Sequence, residues 1–149
     1  MAPSQPVKPQ PRLSPDNAVF WEKCKEHALH LPFCKSCGKP HLPPGPVCPF
    51  CLSDALEWRP VSGRGHISSW TIIRQGGLPA FRDEVPYNVV QVELDEGPRL
   101  TSSVVAPDDD LAIGQAVEVV FEEISGGAVI PRFRRTGGVK SSLSQGGAP

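Results

Sequence analysis

No apolar run in this chain of 149 residues approaches the roughly 20 that a membrane-crossing helix requires. The stretch from Met1 to Pro11 lacks the apolar centre of a secretory signal. An excess of one charge is missing too: the net charge is −1, so electrostatics favours neither nucleic acid nor an anionic membrane as a partner. Catalytic signatures are equally scarce. There is no Gly-x-Ser-x-Gly elbow, no phosphate-binding glycine loop and no His-Glu-x-x-His. His27 and His30 follow Cys24 on an expected helix and His66 opens an expected strand, but none forms an evident nucleophile–base pair. No residue is assigned a catalytic role, which makes a self-sufficient enzyme the weakest functional reading. These absences together describe a cytoplasmic chain whose cysteines stay reduced.

Cysteine is what the chain does have. Cys34-Lys35-Ser36-Cys37 is answered, after ten intervening residues, by Cys48-Pro49-Phe50-Cys51. Two Cys-x-x-Cys pairs at this spacing are the pattern of a four-thiolate, rubredoxin-like zinc ribbon. Gly38 follows the first pair and can adopt the positive φ that such a knuckle turn requires. Four sulfurs close the tetrahedron and leave no position for water, so the zinc is expected to be structural. The competing reading, two disulfides, conflicts with a reducing compartment. His41 lies between the pairs, but with four cysteines present it is not needed as a ligand. Cys24 is the odd cysteine and is expected inside a helix.

The rest of the chain divides around the ribbon. Residues 1–13, proline-rich and polar, are expected to form a disordered arm. Residues 14–32 read as a helix capped by Ser14 and closed by Leu31-Pro32, with Ala18, Trp21, Cys24 and Ala28 on one face and Phe20 beside them. Exposed on a lone helix, Phe20 and Trp21 need something to pack on: the ribbon, the barrel or another chain. The ribbon takes 33–58, with Leu56 and Trp58 on its outgoing strand. Residues 59–135 show five short β segments: Gly65–Arg74, Tyr87–Leu94, Arg99–Val105, Ala116–Glu123 and Ala128–Phe133. Glycine-marked corners and the lack of a long helix among them fit a partly open Greek-key barrel, an OB-fold. Asp108-Asp109-Asp110 reads as a solvated loop, and 136–149, rich in Gly and Ser, as a flexible tail. The fold class is therefore mainly β: one N-terminal helix, a zinc ribbon and a five-stranded OB barrel.

Two features suggest contacts. The connection from Gln75 to Pro86 is the longest irregular one in the barrel, and it carries the apolar Leu78 and Phe81, expected to be exposed. Arg132, with Arg134 and Arg135, forms the one basic cluster; it is either a solvated strand or a contact to phosphate on nucleic acid or a cofactor. OB barrels do bind single-stranded nucleic acid, but the barrel segment is neutral to acidic, which ranks that module second.

Several motifs in order resemble one family. They are Phe20-Trp21-Glu22, the four-cysteine ribbon, Pro43-Pro44, Gly63-x-Gly65, Pro86-Tyr87, Gly114 and Pro131-Arg132-Phe133, spanning about 16–135. This order resembles the zinc-ribbon/OB-fold proteins associated with acyl-CoA metabolism. The resemblance implies an accessory subunit of a thiolase-fold enzyme: an archaeal acetoacetyl-CoA thiolase assembly, an acetyltransferase complex, or the bacterial retro-aldolase that shortens steroid side-chain CoA thioesters. In that aldolase a lipid-transfer-protein-like subunit pairs with a ribbon/OB domain. The implied state is a hetero-oligomer with a CoA thioester at the shared interface, where Phe20, Trp21, Leu78, Phe81 and Arg132 are the expected contacts. The proline-rich leader departs from the family pattern and reads as a linker from a fused hydratase-like domain.

Overall fold

The computed structural model describes residues 6–105 and 110–139. Among them the helix α1 covers Ala18–Lys25, well short of the expected 14–32. The N-cap is Asn17 rather than the expected Ser14, with no side-chain cap bond; Ser14 and Asn17 instead brace the turn just before α1, Ser14 N–H donating to Asn17 Oδ1 at 2.8 Å and Asn17 N–H to Ser14 Oγ at 3.3 Å. The exit differs too. His27 takes φ 57°, its N–H reaches Cys24 O at 3.0 Å, and Ala28 N–H reaches Lys23 O at 3.0 Å. That pair of bonds is a Schellman close, built here without glycine. The His27 ring stacks on Phe121 at 5.5 Å, which gives a non-glycine residue a reason to hold this conformation. Phe20 and Cys24 are buried, and α1 packs on the barrel and on the first strand.

Freed from the helix, His30–Cys34 forms strand β1, antiparallel to β2, Leu56–Pro60, with Pro32 opposite Trp58. Pro32 is tolerated because the pair has open edges; His41 N–H donates to Pro32 O at 3.2 Å along one of them. The ribbon is this two-stranded frame with both knuckles hanging from it.

Five strands follow: β3, Arg64–Ile73; β4, Tyr87–Leu94; β5, Arg99–Ser102; β6, Gln115–Glu123; and β7, Val129–Val139. They form one antiparallel sheet in the order β5-β4-β3-β6-β7. A parallel bridge from Val104 to Phe133 closes it, with Val105 N–H on Phe133 O at 2.8 Å and Phe133 N–H on Ser103 O at 2.9 Å. This is the OB barrel. Asn88 pins the closure from inside: its Nδ2 donates to Val104 O at 3.0 Å and its Oδ1 accepts from Val104 N–H at 2.7 Å. The core holds Ile67, Val90, Val92, Val104, Val117 and Phe133, continuous with Leu31 of the ribbon frame and Phe20 of α1. Each such side chain fully buried contributes about 1.5–3 kcal/mol.

Three expectations change. Strict alternation in β3 is broken by a bulge, since Ile67 pairs Val92 and the next pairing is Ser69 with Gln91. One extra residue switches the facing of everything beyond it, so Ile72 rather than Ile73 packs on the core and Trp70 shares its face, 43% exposed. The connection after β3 is not irregular throughout: Pro79–Glu84 is a 3-10 turn. The last strand runs past Phe133 to Val139, beyond the expected start of the tail at 136. Residues 140–149 lie outside the described residues, as do Asp108 and Asp109 of the expected acidic loop.

The leader changes as well. Of the expected disordered arm, 1–5 lie outside the described residues, but 6–13 follow a bonded path. Lys8 N–H donates to Ser125 Oγ at 3.0 Å, Gln10 Nε2 to Ser125 O at 2.8 Å, and Ala128 N–H to Gln10 Oε1 at 3.0 Å. Composition argued only that the leader could not build its own core. It needs none, because it borrows the turn between β6 and β7. Gly126 in that turn has φ 97°, and a Cβ there would collide with the Gln10 amide. At the barrel entrance Gly65 is equally constrained, since a Cβ would meet the carbonyl of Glu93.

Candidate metal centre and interface cavity

The knuckles bring the sulfurs of Cys34, Cys37, Cys48 and Cys51 within 4.8 Å of one another. Cys34 and Cys51 are 3.5 Å apart, and Cys37 and Cys48 are 3.6 Å apart. A tetrahedral site with Zn–S near 2.3 Å has S···S edges of about 3.8 Å, so the spacing is that of a metal centre. The two knuckles are near copies. Gly38 N–H donates to Cys34 O, and Leu52 N–H to Cys48 O, each at 2.8 Å. Amide donors also support the sulfurs: Cys37 N–H lies 3.4 Å from Cys34 Sγ, and Phe50 N–H 3.4 Å from Cys48 Sγ.

These amides favour thiolate. The Cys37 N–H, opposed by burial and helped by the Cys51 sulfur, holds the Cys34 thiol down at about 6. Burial pushes the Cys48 thiol up, but the N–H groups of Cys51 and Phe50 outweigh it and the thiol is lowered. Cys51 goes the other way, to about 12: the Ser53 N–H favours its thiolate, but the Cys34 sulfur opposes it. Four sulfurs this close cannot all ionise without a cation among them. His41 is buried and stands outside the cluster, both ring nitrogens without a hydrogen bond. Cys24 is fully buried, and burial pushes its thiol up to about 12, which removes it as a nucleophile.

A cavity of about 1140 Å³ lies between α1, the Pro43-Pro44 stretch, the 3-10 turn and the outer side of β4, β5 and β7. Of the five contact residues expected from the sequence, Phe20, Trp21, Phe81 and Arg132 line it; Leu78 does not and stands 53% exposed. Phe20 and Trp21 meet edge-to-face at 5.0 Å. Phe81, expected to be exposed, is half-buried beside Tyr87 at 6.0 Å, with Lys8 Nζ 5.5 Å from its ring. Lys8 lay in the expected disordered arm, so it could not have been nominated from sequence. Asn88 could have been: it keeps step with Val90, Val92 and Leu94 in β4.

The cations around the cavity are paired. Lys8 Nζ is 2.6 Å from Glu84, Arg99 is 3.6 Å from Glu93, and Arg132 Nη1 is 2.6 Å from Glu122. Arg132 Nε also donates to Ser103 Oγ at 2.8 Å. Farther along β7, Arg134 is bound to Glu118. The expected basic cluster is thus laced with carboxylates rather than left open as a cationic track for a polyanion. Among the described residues no helix is long and apolar enough to cross a membrane.

Comparison with known proteins matches both modules. Residues 21–57 match the family described as "ChsH2, rubredoxin-like zinc ribbon domain", and 58–122 match "ChsH2, C-terminal OB-fold domain". The chain is 35% identical over 130 residues to a probable enoyl-CoA hydratase alpha subunit of Thermomonospora curvata, covering 86% of this chain but 40% of that relative. It is 40% identical over 93 residues to a DUF35 domain-containing scaffold protein of Methanothermobacter thermautotrophicus, covering 61% of this chain and 69% of that protein. Among solved structures it is similar to a chain of the "Ltp2-ChsH2(DUF35) aldolase", with TM-score 0.78 and 34% identity over 85% of this chain and 98% of that one. By its ribbon, its barrel and their order, this chain belongs to the DUF35 family, in the ChsH2 arrangement of a zinc ribbon followed by an OB-fold.

Proposed function

We propose that this chain is a cytoplasmic, non-catalytic subunit of a thiolase-fold acyl-CoA enzyme, a retro-aldolase acting on steroid or similar side-chain CoA thioesters. One zinc ion held by Cys34, Cys37, Cys48 and Cys51 has a structural role. The observation that carries the reading is the cavity: it sets Trp21 and Phe81 beside Val89, Leu100 and Ile130 on a barrel wall that also presents Gln91 and Thr101, while its cations are already paired. Such a surface accepts apolar side chains of a partner, or the acyl part of a thioester, better than it accepts free phosphates. The likeness to the chain of the Ltp2-ChsH2 aldolase supports a lipid-transfer-protein-like subunit as that partner.

The test is co-expression with a thiolase-fold subunit of that kind, followed by assay of C–C cleavage in an acyl-CoA. Phe81→Ala is expected to weaken assembly about thirtyfold, the usual effect of removing an aromatic anchor worth about 2 kcal/mol. Because Phe81 stands outside the core cluster, the isolated chain should lose less than about 1 kcal/mol of stability. Full assembly and activity with Phe81→Ala, together with a large drop in melting temperature, would leave Phe81 a packing residue.

A further inference from the structure

The leader is held in place without a core. Of residues 6–13 only Lys8 and Pro11 are half-buried; Val7 is 64% exposed and Leu13 63% exposed, so apolar burial does not fasten it. Its anchors are the exposed bonds from Lys8 and Gln10 to Ser125 and Ala128. Water replaces each such bond on release, so each adds little, while ordering the arm costs backbone freedom. Pro6, Pro9 and Pro11 reduce that cost and keep a released arm extended. The attached and lifted states are therefore close in free energy.

The attached arm delivers one side chain to the cavity. Lys8 reaches its mouth, where Nζ lies 2.6 Å from Glu84 Oε1 and 5.5 Å from the centre of the Phe81 ring. A carboxylate beside an aromatic face is a seat for a cation. We propose that the leader is a reversible strap on the cavity, and that Lys8 stands in for a lysine or arginine of the thiolase-fold subunit, which takes the seat between Glu84 and Phe81 on assembly. The chemistry of the seat selects this occupant. An apolar group pressed there in place of Lys8 would bury the Glu84 carboxylate unpaired. While attached, the strap lowers the apparent affinity for the partner in proportion to the fraction of chains it closes.

This inference rests on the partner proposed above, and variants of opposite effect separate the two. Gln10→Ala cuts the anchors away from the cavity lining; Lys8→Ala leaves the Gln10 anchors but clears the seat. Each is expected to tighten association with the co-expressed thiolase-fold subunit about three- to tenfold, the gain from removing a competitor attached in most chains. Glu84→Gln also frees Lys8, yet it should weaken association about threefold, because the seat itself is lost. Hydrogen exchange follows the strap directly. In the isolated chain Gln10→Ala should expose the Lys8 and Ala128 amides with zinc content and melting temperature unchanged, and adding the subunit to the unmodified chain should expose the same two amides. If the unmodified chain assembles but Lys8→Ala and Gln10→Ala do not tighten it, or those amides stay protected in the complex, the leader is a fixed wall. The strap is then overturned and the partner reading stands. Glu84→Gln assembling as tightly as Lys8→Ala would overturn the cation seat. If neither the unmodified chain nor Gln10→Ala assembles with that subunit, both readings fall.

Discussion

Cys37→Ser is expected to abolish stoichiometric zinc and to unfold the ribbon. Metal analysis of the unmodified chain should give one zinc per chain, and the variant well below that. Binding to a four-thiolate site contributes on the order of 10 kcal/mol to folding at neutral pH, more than most domains have in reserve. Cys37 suits the test because it is exposed, so a serine hydroxyl there creates neither a cavity nor a buried polar group. The frame cannot compensate, since a two-stranded sheet has little stability of its own. Damage should spread into the barrel, because Leu31 and Trp58 of the frame pack on the shared core. A variant that kept its zinc and its melting temperature would show that Cys37 is not a ligand.

Asn88→Ala is expected to cost about 2–5 kcal/mol, although it removes only a small amide. The Asn88 side chain satisfies both the N–H and the carbonyl of Val104, where the sheet curls round to meet β7. Val104 is 1% exposed, so neither group can turn to water. Each buried group left unpaired costs about 1–3 kcal/mol. Urea denaturation measures the total, and hydrogen exchange locates it: the amides of Val105 and Phe133, which join the two edges, should lose protection first. A cost below 1 kcal/mol would mean that those backbone bonds close the barrel unaided.

The sequence reveals features governed by side-chain type at fixed spacing. Cysteine spacing picked out the four thiols that the structure gathers, because knuckle geometry is local and repeats. Alternation in β4 gave its buried face because no bulge interrupts Tyr87–Leu94. What escaped was decided by backbone or by distant contact. Nothing in His27 announces a left-handed residue; its stacking partner Phe121 is far along the chain, so the expected helix overruns the real one. The bulge at Ser68 leaves no mark in composition and reverses the facing of the rest of β3. Phe81 looked exposed because Tyr87 and Lys8, which shelter it, belong to other segments.

The leader has a consequence for the order of folding. Its anchors join residues 117 and 118 positions apart, and they land on the turn between the last two strands. That turn exists only after β6 and β7 have paired, so the leader can attach only to a hairpin that is already closed. The leader is thus a clasp on a finished hairpin. It slows the first parting of β6 from β7 while playing no part in bringing them together.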